Sequence, residues 1–188
     1  MFKYLFFIII VILPTFVRAG DYTSGNVDFV KIKNTWIDRH NNERKSLWLN
    51  PYTWSLNLDK TAQKWADYLL SQNKTTHKRL AKDWYYNYVS MQNWFNNLWV
   101  YFVGSSTNFS ESIGWWYQKC KKADCTDSLT KSIKSTFNFF MSEKWKWYRP
   151  HYNGIIMKKF NLIWLGVAVG SWKYYLVTHY GTKLVSSP

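Results

Sequence analysis

The sequence is poor in cysteine, proline, glycine and acid: its 188 residues include two Cys, four Pro, eight Gly, and 11 Asp and Glu against 25 Lys and Arg. Two cysteines rule out a disulfide-dense scaffold and a four-cysteine zinc site. Cys120 and Cys125 stand in Lys-Cys-Lys-Lys-Ala-Asp-Cys, with no second cysteine pair or histidine pair close by to complete a zinc shell. In an oxidising compartment they pair, closing a small loop worth about 2 kcal/mol. No Gly-x-Ser-x-Gly elbow and no His-Glu-x-x-His helix occurs, and paired cysteines leave no thiol nucleophile. Internal repeats and coiled-coil heptads are absent too. The shortage of acid leaves a net charge of +14, which favours anionic partners; its plainer reading is lysine faces that keep an aromatic-rich chain in solution.

Long apolar runs are confined to the start. Met1-Phe2-Lys3 precedes an apolar stretch over residues 4–17, and Val17-Arg18-Ala19 places small residues before Gly20. This predicts a secretory signal peptide over residues 1–19, too short for a comfortable membrane span, with a retained signal anchor as the alternative. Secretion argues against nucleic acid as the partner. It leaves lipid headgroups at an anionic membrane surface, or glycosaminoglycans. Asn73-Lys74-Thr75 and Asn108-Phe109-Ser110 are glycosylation sequons, so Asn73 and Asn108 are candidate sites. The remaining chain suits one domain with a real core.

Residues 27–48 carry Phe29, Ile32, Trp36, His40 and Leu47 at helical spacing, which predicts a first helix. His40 shares its buried stripe and reads as a hydrogen-bonded core residue rather than a ligand. Leu58, Ala62, Trp65, Ala66, Leu69 and Leu70 define a second helix ending near Asn73. Residues 84–110 then hold ten aromatics and no charged residue. Asn87, Gln92, Asn93, Asn96 and Asn97 exclude a membrane span there. The segment reads either as a loop laying Trp and Tyr rings on a membrane interface, a lipid or a sugar, or as a cover for the domain's own core.

A strand is expected over residues 111–117 and a third helix over 127–147, with Glu143 at the edge of its apolar stripe. Pro150 is expected to end that helix and to send His151 out in extended conformation, back toward Glu143. Ile155 and Ile156 read as strand. Two β-rich runs, 162–169 and 172–180, joined at Gly170-Ser171, predict a hairpin. Together these elements give an α+β layered domain.

Several stretches match one family pattern in order. They are His40-Asn41-Asn42-Glu43-Arg44; Asn50-Pro51-Tyr52-Thr53-Trp54 with Ala62-Gln63-Lys64-Trp65-Ala66; Ser110-Glu111-Ser112-Ile113; and Glu143 with Trp147, Tyr148 and His151-Tyr152. Residues 28–181 thereby resemble the CAP superfamily of cysteine-rich secretory, antigen 5 and plant pathogenesis-related proteins, with 84–110 as an insertion and 182–188 as a tail. The resemblance implies a three-layer α-β-α sandwich with a small antiparallel sheet. It also implies a pocket of His77, Glu111, Glu143 and His151, in which His77 and His151 would hold Zn2+ and the carboxylates would orient the rings. Gly154, Met157 and Ser112 stand where the family pattern has Gln, Trp and Asn, and Val167 and Thr178 where it has cysteines. The lack of strand cysteines resembles the Golgi-associated branch. What the family does implies binding of a lipid, sterol or partner protein rather than catalysis. The alternatives are a metal-dependent hydrolase using the pocket, and an extracellular effector whose pocket is vestigial.

Overall fold

The computed structural model describes residues 26–184 apart from 105, 106 and 171. The expected signal peptide and the last four residues of the expected tail lie outside the described residues. Among the described residues nine elements follow in chain order: α1 (Phe29–Ser46), β1 (Thr53–Trp54), α2 (Leu56–Gln72), α3 (Tyr88–Asn96), β2 (Phe109–Tyr117), α4 (Thr126–Met141), α5 (Pro150–Ile156), β3 (Leu162–Val169) and β4 (Lys173–Gly181). The strands form one sheet in the order β1-β3-β4-β2.

The layers follow from the two-residue period of the strands. On β3, Ile163, Leu165 and Val167 face the cluster formed with Ile32 and Trp36 of α1, Leu129 and Phe140 of α4, and Ile155 of α5. Trp164 and Ala168 face the opposite way, toward Leu58, Trp65 and Leu69 of α2. Both sheet faces are therefore covered, which explains why β3 reads as an almost unbroken apolar run. Close packing of α2 depends on Gly166, where a Cβ would lie 2.1 Å from the Ala62 backbone. The expected α-β-α sandwich is present, but its sheet is mixed: β1 runs parallel to β3, and the other pairs are antiparallel.

Local structure departs from expectation around the site. Helix α4 ends at Met141, before Glu143, and Pro150 starts a helix instead of stopping one. Proline is suited to that place, because the first N–H of a helix has no intrahelical acceptor and the fixed φ is already helical. Glu143 supplies the cap from outside: its Oε2 accepts from the backbone N–H of His151 at 2.9 Å and of Tyr152 at 3.2 Å. Carboxylate charge at this N-terminus also complements the helix dipole. His151 is thus helical rather than extended, and Ile155-Ile156 lie in α5 rather than in a strand. The hairpin closes one residue later than expected, with Gly170 N–H donating to Lys173 C=O at 2.9 Å.

The insertion folds onto the protein itself. Met91 and Phe95, four apart on α3, are fully buried, as are Val100, Phe102 and Phe109 nearly so, and all five join the cluster under α2. The following chain is pinned by Leu184, which bridges to Phe102. Cys120 and Cys125 form the expected disulfide. Its loop is short, so Cys120→Ser/Cys125→Ser is expected to lower unfolding free energy by about 2 kcal/mol, read from urea denaturation without reductant. Asn73 caps α2 in left-handed conformation and is exposed, whereas the half-buried Asn108 donates its amide to the Val103 carbonyl.

Candidate functional site

A cavity of about 640 Å³ opens between the α3 region and α5, with His77, Glu111 and His151 in its lining and Tyr85, Tyr148 and Phe160 among its walls. Glu143 stands behind His151 rather than in the lining. His77 follows the α2 cap, in a segment held by Trp65, whose Nε1–H donates to Thr76 C=O at 3.2 Å. Glu111 comes from β2 and faces His179 of β4 across the ladder.

Each cavity imidazole is oriented by a carboxylate through Nδ1. His77 Nδ1 lies 2.8 Å from Glu111 Oε1, and His151 Nδ1 lies 2.7 Å from Glu143 Oε1. An ionised carboxylate only accepts, so Nδ1 carries the proton in each case and Nε2 is left for the cavity. His151 also stacks on Phe140, with ring centroids 4.4 Å apart.

Glu111 is the most heavily engaged group. Its Oε2 accepts from an Arg79 Nη at 2.6 Å and from His179 Nε2 at 2.8 Å. Burial alone would raise its carboxyl, but the Arg79 charge and the bonds from His179 and His77 outweigh burial and hold it well below the usual range. His179 is pushed below its ordinary value by burial, against the pull of Glu111. Arg79 is itself clamped between rings, with its guanidinium carbon 3.5 Å from the Trp65 centroid and 4.5 Å from that of Trp94. Asp83 fixes the turn by accepting from the N–H groups of Arg79 and Leu80 and from Ser90 Oγ. Tyr86 joins the insertion to the site, its hydroxyl accepting the Glu111 N–H at 2.8 Å.

Arg79 and His179 escape the sequence reading. Arg79 is two residues from His77 in a basic run, and His179 occupies the same side of β4 as Val177. Pairing Glu111 with His179 in register would have exposed the second. The departure at Gly154 has a steric cause, because a Cβ there would lie 2.7 Å from the Tyr180 ring. His40 is structural, as read: Nδ1 lies 2.9 Å from Trp36 C=O, Nε2 lies 3.1 Å from the Tyr180 hydroxyl, and it lines no part of the cavity. The fully buried Arg44 donates to the carbonyls of Asn50, Ile155, Met157 and Phe160, tying α1 to the end of α5.

A cavity between a covered sheet and a short helix, with two carboxylate-oriented imidazoles, defines the class of domain. The sequence matches the CAP family, the cysteine-rich secretory protein family, over residues 37–180, and the chain belongs to that family. Members are often extracellular. Comparison with curated proteins gives no match. Among solved structures, an outer surface protein from Borrelia burgdorferi is similar at TM-score 0.56 and 12% identity, covering 85% of this chain and 98% of that one. The CAP domain of enterococcal PrgA gives 0.55 and 14%, covering 84% and 64%. NaASP2, solved with Zn2+, gives 0.54 and 12%, covering 84% and 86%. At these identities the likeness is one of fold.

Proposed function

We propose that this chain is an extracellular binding protein whose cavity takes an amphipathic lipid, a sterol or a fatty acid. The observation that carries this reading is the largely aromatic lining, with Tyr85, Tyr86, Tyr88, Phe109, Tyr148 and Phe160 around the cavity, while both carboxylates are taken up in orienting the imidazoles. Glu111 accepts from Arg79, His77 and His179, and Glu143 from the His151 ring and two N–H groups of α5. A general base needs an accessible lone pair of suitable basicity, and a carboxylate held well below its usual range beside a guanidinium is a poor one. The walls offer aromatic and apolar surface, with His77, Glu111, His151, Asn153 and Lys159 among the polar groups that could hold a headgroup. Ser110→Trp would place an indole in this space. It is expected to weaken binding of cis-parinaric acid or a fluorescent sterol by at least about tenfold, the space for the ligand body being lost. Failure of the wild-type protein to bind either probe would overturn the reading.

The two free Nε2 atoms favour a second reading at the same place. The donor chemistry fits a divalent ion such as Zn2+ held by His77 and His151, with Glu111 and Glu143 as the groups that fix ring orientation. Among the described residues no three His, Cys, Asp or Glu side chains are grouped for a metal, so the remaining ligands would come from solvent or from a bound molecule. Such an ion would supply Lewis-acid polarisation of an oxygen. NaASP2, a structural relative, has been solved with Zn2+. Calorimetric titration of the purified protein with Zn2+ is expected to give one site that His77→Ala/His151→Ala abolishes. Equal heats from both proteins would exclude the two-histidine site.

A further inference from the structure

The loop between α4 and α5 exposes three large aromatic rings. Trp145, Trp147 and Tyr148 are 89%, 102% and 78% exposed. The loop is nevertheless braced: Lys146 N–H donates to Glu143 C=O at 2.8 Å, and an Arg79-independent clamp is made by Arg149, whose guanidinium donates to Lys144 C=O at 3.1 Å. Glu143 then ties the loop's base to α5. Across the cavity mouth, Trp84 and Tyr85 of the insertion are also exposed, at 86% and 61%. Tyr85 and Tyr148 both line the cavity, so the two aromatic groups share its rim.

Charge at this rim has one sign. Exposed lysines flank the lining residues along the chain: Lys82 is three residues before Tyr85, Lys146 is two before Tyr148, and Lys158 lies between Met157 and Lys159, which themselves line the cavity. The nearby acids are committed: Glu43 to Lys144 and Tyr152, Glu143 to His151, Glu111 to Arg79, and Asp83 to its turn. Protein interfaces concentrate aromatics but deplete lysine, whereas a lipid headgroup layer accepts Trp and Tyr at its boundary and attracts lysine to its phosphates. The Lys-Trp-Lys-Trp-Tyr-Arg alternation of residues 144–149 suits the second environment.

We propose that the cavity rim docks on the surface of an anionic phospholipid bilayer. Trp145 and Trp147 enter the headgroup boundary, and Lys146, Lys158 and Lys82 lie against lipid phosphates and carboxylates. The cavity mouth then faces the membrane. Docking stands on the rim itself, and only the idea that cargo passes between bilayer and cavity rests on the lipid-binding reading above.

The test is partition of the purified protein onto vesicles of phosphatidylcholine alone and of phosphatidylcholine mixed with phosphatidylserine, by co-sedimentation. Binding is expected only to the mixed vesicles and should fall with salt. Trp145→Ala/Trp147→Ala is expected to weaken partition on the order of tenfold by removing both interfacial rings. Lys146→Glu/Lys158→Glu should weaken it about twentyfold or more, since each cation near such a surface contributes roughly fivefold. All four positions are exposed, so folding should be kept, and unchanged circular dichroism checks it. Equal partition onto neutral and anionic vesicles, or unchanged partition of both double variants, would overturn the proposal. Ser110→Trp separates the two readings: it should retain vesicle partition while losing parinarate, and the rim variants should do the reverse.

Discussion

Arg79→Leu is expected to destabilise the protein by about 3–5 kcal/mol, the cost of removing one partner of a buried ion pair and stranding the other. Its side chain is 2% exposed and that of Glu111 is fully buried. Without the guanidinium, two imidazoles remain to bond Glu111, and burial then pushes its carboxyl upward. The slot between Trp65 and Trp94 also loses its planar filling. Equilibrium urea unfolding followed by tryptophan emission measures the loss. Arg79→Leu/Glu111→Gln should be less harmful than the two single losses added, because the stranded charge is gone. A loss under about 1 kcal/mol for Arg79→Leu would mean that the histidines alone sustain the carboxylate, against the role argued for Arg79. Arg79→Lys is expected to rescue only in part, since an ammonium keeps the charge but neither fills the flat slot nor bonds both carboxylate oxygens.

That ion pair also shows where legibility ended. Glu111, Glu143 and His151 stand in short motifs of the family pattern, whereas His77 has no local signal and follows only from the resemblance; the structure lines the cavity with His77, Glu111 and His151 and sets Glu143 behind His151. The α-β-α layering was readable because the helical stripes and the β3 and β4 runs are strong local patterns. Arg79 was not, because nothing within ten residues distinguishes it from the lysines around it. Its burial is made by Trp94, supplied by the insertion, and by Glu111, which is 32 residues away. The boundary between α4 and α5 was misread for a related reason. Pro150 reads as a helix stop, but α4 already ends at Met141 and Pro150 opens α5; what decides for a second helix is a cap, and that cap is the side chain of Glu143. In the insertion, the aromatic excess was visible, but the amides beside it concealed the pair Met91 and Phe95 at helical spacing.

Acid is expected to destabilise the protein from about pH 6.5 downward, well above the range in which ordinary carboxylates titrate. His40 is fully buried, and burial, reinforced by the Arg44 charge and opposed by the bond to Trp36, lowers its pKa from 6.5 to about 3. The folded state therefore keeps it neutral, while the unfolded chain takes up a proton below pH 6.5. Above that pH the group contributes nothing to the slope. Between 6.5 and about 3 it costs about 1.4 kcal/mol per pH unit, or about 3 kcal/mol between pH 7 and pH 4. His179, also lowered by burial, adds in the same direction. The depressed carboxyl of Glu111 adds below its ordinary value of 4.5, where the unfolded chain is protonated and the folded one is not. Urea unfolding of the wild type and of His40→Gln at several pH values separates these contributions. The variant should be less stable at pH 7 yet have a flatter profile between pH 6.5 and 5, and parallel profiles would remove His40 as the cause. The place matters for function. His40 bonds Tyr180, whose ring rests on Gly154 of α5, the helix that carries His151, so acid weakens the packing directly beneath one wall of the cavity.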